Sequence, residues 1–187
     1  MPKQKITKEM VVEAAFELAR SGGVENISVK EIAQKVGCSV QPIYSYCENM
    51  GELRKDVGLM ARKFVGEYVA AHVDKKDFFR SNGYAFVKLA YEEPYIFKMF
   101  VTTERENIAS MNDMYAAESN PQVAEFIAEA LHISIEKARV LHLNMLIYNV
   151  GIGTILTTAT PGIPMEEITQ KLETAYEAFL QQALTDK

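Results

Sequence analysis

Cysteine and histidine are both scarce in this chain: Cys38 and Cys47 are its two cysteines, and three histidines complete the set among 187 residues. Two cysteines cannot build the disulfide framework of a small secreted domain and suit a reducing compartment. With no basic neighbour in sequence to lower a thiol pKa, both read as small apolar groups around a turn. His72, His132 and His142 do not stand at ligand spacing from acids or cysteines, and no HExxH pair or glycine-rich phosphate loop is present. Glu92-Glu93 lacks a nearby acid–base partner in sequence. No metal, no cofactor and no enzymatic activity are therefore expected. An apolar run behind the basic start MPKQKITKEM is also missing, which argues against a secretory segment and for the cytoplasm. Positive charge is in short supply, since the net charge is −5, and at first this argues against a nucleic-acid partner. Its distribution argues the other way. Up to Lys55, eight Lys and Arg face seven Asp and Glu, or +1, which leaves 12 against 18, or −6, for the remainder.

What is present is concentrated in SVKEIAQKVGCSVQPIYSYCENMGEL, residues 28–53. Ser28 with Glu31 three residues on is a capping box, and Ile32, Ala33 and Val36 give an inward stripe at helical spacing. Gly37-Cys38 makes a tight turn, with the glycine free to take positive φ. Ser39 is placed to cap a second helix, and Pro42 then falls in the first turn, where a missing N–H costs little. With Ala33, Gly37 and Ile43 inward, the second helix leaves Ser39, Val40, Gln41, Tyr44 and Ser45 outward. A helix entering the DNA major groove presents such N-terminal side chains to base edges, an amide suiting adenine and a branched apolar group a thymine methyl. Lys3, Lys5, Lys8, Lys30, Lys35 and Lys55 supply charge for phosphates. Asn49 with Glu52 is a second capping box.

Residues 6–53 resemble the N-terminal DNA-binding region of the TetR family of bacterial transcriptional regulators, over the first quarter to third of the chain. A first helix like MVVEAAFELARSGGVENIS leads into IAQKVGCSVQPIYSYCENMGEL, and Tyr44 matches a tyrosine that grips a phosphate in that family. The sequence departs from the family pattern at Cys47, where an aromatic is usual, and at Met50 and Gly51, where a lysine and an acidic residue are usual. The resemblance implies a homodimer, and an inducer site between the middle helices.

The rest of the chain is helical by pattern. Thr7 caps the first helix, Ile6 and Val11 form its hydrophobic staple, and Gly22-Gly23 ends it. The helix opened by Asn49 carries Leu53, Val57, Met60, Phe64 and Tyr68 to about residue 71, a connector of roughly 30 Å. Phe79, Phe86, Leu89 and Ala90 face inward from a helix over 78–92, stopped by Pro94, and a short helix spans 95–103. Residues 104–119 read as a loop with room for a short helix. Asn120-Pro121 opens the next helix, with Val123, Phe126, Ile127 and Ala130 as its apolar face. No charged residue occurs over 140–165, yet His142, Asn144 and Asn149 interrupt the run and a membrane span is not expected. Leu141, Met145, Tyr148 and Ile152 face their own domain and the opposite side faces a partner. Pro161 and Pro164 break the chain before a last helix with Ile168, Leu172, Ala175, Tyr176, Phe179 and Ala183 as its stripe.

The expected architecture is all-α, of about nine helices: a three-helix DNA-binding domain with a helix-turn-helix over 1–52, and a larger helical ligand-binding and dimerisation domain over 53–187. The expected DNA-contacting residues are Ser28, Lys30, Ser39, Val40, Gln41, Pro42, Tyr44, Ser45 and Lys55. Phe86, Tyr91, Phe97, Phe100, Met145 and Tyr148 are the expected ligand contacts, taken from an aromatic and methionine set that also includes Tyr95 and Met99. The expected partners are a double-stranded DNA operator, a small-molecule effector and a second copy of the chain, with no membrane. An alternative is a helical ligand-binding or interaction protein of the same fold with weak DNA affinity.

Overall fold

The computed structural model describes residues 6–46, 49–74, 76–159 and 162–185. Cys47, the lysines at 3 and 5 and Pro161 lie outside those residues. Ten α-helices are found among the described residues, one more than expected: α1 (Lys8–Gly22), α2 (Val29–Val36), α3 (Val40–Tyr46), α4 (Met50–His72), α5 (Phe78–Glu92), α6 (Pro94–Thr102), α7 (Met111–Glu118), α8 (Pro121–Leu131), α9 (Ile135–Thr158) and α10 (Met165–Thr185). A single 3-10 turn, Val24–Asn26, follows α1. The additional helix is α7. Ser110 accepts the Asp113 N–H at its start, and the Asp113 carboxylate answers at the Ala109 N–H and the Ser110 hydroxyl, so a local cap organises a stretch whose apolar pattern is weak.

Two compact units divide the chain: Met1–Tyr68 with Glu92–Thr103, and Val69–Tyr91 with Glu104–Lys187. The first unit thus extends past the expected limit at residue 52 and takes in α6. Its core contains Val11, Ala15, Ile32, Ile43, Leu53, Val57, Ala61, Ile96 and Phe97, all buried. α6 belongs here because Arg20 of α1 reaches Glu93 with two hydrogen bonds, one from Nε at 2.9 Å, while its guanidinium lies 4.8 Å from the Phe64 ring centroid. Phe64 in turn packs on Phe16, ring centroids 5.9 Å apart. These contacts join positions more than forty residues apart, which helical periodicity does not reveal.

The second unit is built on α9 between α8 and α10. Ile127, Ala138, Leu141, Met145, Tyr176 and Ala183 form one buried cluster, and Val87, Ile168 and Leu172 a second, with Tyr148 and Ile152 packed beside it. Of the inward face expected for α9, Leu141 and Met145 are buried, while Tyr148 and Ile152 are half-buried. On α8 the expectation needs correcting. Ala124 and Ile127 are buried, whereas Phe126 and Ala130 are exposed. The stripe that fits a helical period is 123, 124, 127, 128 and 131, and Phe126 lies about 100° off it, edge-on to Phe78 with centroids 5.3 Å apart.

Candidate nucleic-acid interface and internal polar site

The geometry of α2 and α3 follows from three local devices. Ser28 and Glu31 form the expected capping box, with the Ser28 hydroxyl accepting the Glu31 N–H and the Glu31 carboxylate accepting the Ser28 N–H. Gly37 ends α2 at φ 79° and ψ 35°, left-handed backbone that a side chain would strain. It is exposed there, so it serves the turn and not, as expected, the interior. Ile43, wholly buried, then anchors α3 from its inner side.

The opposite side of α3 is open. Val40 and Tyr44 are 42% and 63% exposed, unusual for residues of their size, and Ser39, Gln41 and Ser45 are exposed beside them. Pro42 is half-buried, while Ser28, Lys30 and Lys55 are exposed on α2, its cap and α4. All nine expected DNA contacts thus lie in one compact unit. Tyr46 adds a tie that the sequence pattern does not signal: its hydroxyl donates to the Ile6 carbonyl at 2.7 Å, joining the end of α3 to the segment before α1. Lys8 and Asp56, 2.8 Å apart, link α1 to α4, and the Asn49 side chain accepts the Glu52 N–H at 2.9 Å, as its role of cap requires.

The six expected ligand contacts are divided between the units. Phe97 and Phe100 lie in the first, Phe97 wholly buried and Phe100 with the Arg62 guanidinium 5.5 Å from its ring centroid. Phe86, Tyr91, Met145 and Tyr148 lie in the second. Tyr91 is 58% exposed, Phe86 is half-buried, and Tyr148 packs on Phe179 and donates to the Lys171 carbonyl at 3.3 Å. Met145 lines a small space of about 10 Å³ together with Arg80, Gly83, Tyr84, Asn149, Leu172 and Tyr176. A larger groove of about 160 Å³ opens between α9 and α10, at Val140, Leu141, Asn144 and Phe179.

Sequence reasoning missed the polar pairings of this unit. Arg80 places its guanidinium 4.4 Å from the Tyr176 ring centroid and pairs with Glu173 and Glu177, each at 3.2 Å. The Tyr84 hydroxyl donates to Glu173, and its pKa is raised, first by burial and then by that bond. His142 is buried edge-on to Phe79, with Nδ1 3.0 Å from the Tyr115 hydroxyl. Burial pushes its pKa from 6.5 down to about 4, so it is neutral at pH 7. Among the described residues no group of three or more His, Cys, Asp or Glu is placed to hold a metal ion.

No family model matches this chain. It is 36% identical over 52 residues to a helix-turn-helix transcriptional repressor, DrrR1, of Streptomyces coeruleorubidus, a match that takes in 28% of this chain and 19% of that protein. The structure is similar to TetR from Acinetobacter baumannii AYE, with a TM-score of 0.59 and 17% identity over 96% of this chain and 95% of the other. A variant of that TetR in complex with minocycline gives 0.56 and 16%, over 96% and 94%. A TetR-family regulator from Haemophilus influenzae gives 0.54 and 16%, over 93% and 94%. The chain has the fold of the TetR-family transcriptional regulators.

Proposed function

We propose that this protein is a ligand-responsive transcriptional regulator of the cytoplasm, a repressor that binds a palindromic operator as a homodimer and is released by a small molecule. The observation that carries this reading is the outer side of α3, where Val40, Gln41, Tyr44 and Ser45 are exposed while Ile43 holds the helix to its unit. Gln41 and Val40 read base edges, and Tyr44 with Lys30 and Lys55 holds phosphates.

The homodimer rests on the outward side of α9. Val140, Ile147 and Ile155 are about half exposed along one helix, with the exposed Gly151 between them. α9 is long and apolar enough to cross a membrane. It nevertheless packs lengthwise on α8 and α10, and transfer to lipid would strip Leu141 and Met145 of their neighbours and take His142 and Asn149 with it. A second copy covers the stripe without that disruption. Two recognition helices then meet successive major grooves about 34–36 Å apart.

Effector release follows from linkage. A ligand that prefers a conformation with another separation of the two α3 helices must lower DNA affinity, and a coupling of about 1–3 kcal/mol corresponds to roughly 5- to 150-fold. The second unit, with Phe86, Met145 and Tyr148, is the part that would hold it. The test is a gel shift on genomic fragments across a salt series: specific complexes should weaken steeply with salt yet persist against competitor DNA. Binding that competitor removes entirely would favour the helical interaction protein, the reading that Met50 and Gly51 suit.

A further inference from the structure

α3 carries two tyrosines, two residues apart, that are placed differently. Tyr44 is 63% exposed and stands outward with Gln41 and Ser45, whereas Tyr46 is 36% exposed and its hydroxyl donates to the Ile6 carbonyl at 2.7 Å. Two residues along a helix turn the side chain by about 200°, so Tyr46 leaves the outward side of α3 and reaches back to the start of the chain. The bond spans 40 residues of sequence, and neither the period nor the cap of either segment calls for it.

The start of α1 is fastened a second time. Lys8 pairs with Asp56 of α4 at 2.8 Å, which engages its charge within the unit. Thr7 caps α1 in extended backbone, at φ −121° and ψ 163°, so the chain that arrives there does not continue the axis of α1. Ile6, just before it, is held at the end of α3. Lys5 is bonded directly to Ile6, and Lys3 stands two residues earlier. Their Cα atoms are confined to within about 4 and 11 Å of that of Ile6, whatever the backbone between them. A helix lying in a major groove about 12 Å wide has phosphates along both rims. Lysines tethered at the end of such a helix are within reach of a rim, and the tie removes beforehand part of the freedom that binding would take from the segment.

We propose that Tyr46 is a positioning residue for DNA binding: by holding the Ile6 carbonyl at the end of α3, it delivers the charges of Lys5 and Lys3 to the phosphates beside that helix. This rests on the DNA-binding reading of α3 and adds to it a contact with the DNA backbone, not with the bases. Tyr46 itself touches no DNA. A neutral hydroxyl releases no counterions from DNA, whereas two lysines do, so the salt dependence of binding separates the two roles.

The test is a salt series on the full-length protein with a mixed-sequence duplex of about 20 base pairs, two helical turns, because the phosphate contribution does not depend on sequence. Tyr46→Phe keeps the ring and removes only the hydroxyl. Its affinity at low salt should fall about three- to tenfold, and the slope of log K against log salt should become shallower by about 1, with helical content unchanged. Lys3→Gln combined with Lys5→Gln should flatten the slope by about 2 in the wild-type background and by well under that in the Tyr46→Phe background. A loss of affinity with the slope unchanged would give Tyr46 a direct contact or a purely structural part and overturn the inference, as would equal slope changes for the lysine pair in both backgrounds. Should Tyr46→Phe fail to fold, the lysine variant decides: flattening supports the delivery of those charges, and an unchanged slope overturns it. A wild-type protein that binds no DNA overturns the DNA-binding reading itself, whereas unchanged slopes in a wild type that does bind overturn this inference alone.

Discussion

The two units use polar side chains in opposite ways. In the first, the polar and aromatic residues that matter are on the outside of α3, and the buried side chains beneath it are apolar. In the second, the outward side of α9 is apolar and polar groups are taken inside, at Asn149 and His142. A rigid apolar core under an exposed polar helix suits reading a fixed surface such as a DNA groove. The contrast can be broken at several points.

The largest effect is expected at Ile43, wholly buried beneath the outward side of α3. Ile43→Ala should cost about 2–5 kcal/mol of stability in chemical denaturation and remove DNA binding together with it. If stability falls and DNA affinity does not, α3 is not the reading helix.

Acid should act on the second unit. His142 is held neutral in the folded state down to about pH 4, whereas the unfolded chain takes up the proton near 6.5. The unfolded state thus binds more protons across that window, and stability should be full above about pH 6.5 and fall as the pH drops toward 4. The loss attributable to this group is about 3 kcal/mol at most. His142→Phe should flatten that part of the stability profile, and a profile unchanged by the substitution would remove His142 as the cause.

Gln41→Ala is expected to cost about 1–3 kcal/mol on the preferred DNA site and to relax specificity at one position, whereas Tyr44→Phe should weaken all sequences alike. An equal loss for Gln41→Ala on specific and random DNA would reverse the assignment of roles. The smallest effect is at the cap: Ser28→Ala should cost about 1 kcal/mol by opening the capping box of α2.

The comparison also explains what could be read in advance. Caps and turns act over three to five residues, so Thr7, Ser28 with Glu31, Gly37, and Asn120 with Pro121 were legible, and with them the helix-turn-helix and most helix starts. The face of a helix is a subtler matter, because an aromatic residue off the main stripe can find a ring of its own, as Phe126 finds Phe78. Long-range polar pairs leave no periodic trace. Nothing near Arg20 in sequence points to Glu93, nothing near Arg80 points to Glu173, and the burial of Asn149 near Met145 was hidden behind an apolar and aromatic reading of the same region.

The central claim, that exposed α3 side chains on a two-fold dimer read DNA, is tested most directly by selecting bound sequences from a random DNA pool with the full-length protein. The account predicts enrichment of a palindrome whose half-sites are centred about one helical turn, or 10–10.5 base pairs, apart. A pool that stays unenriched, or that converges on a single asymmetric half-site, would contradict it.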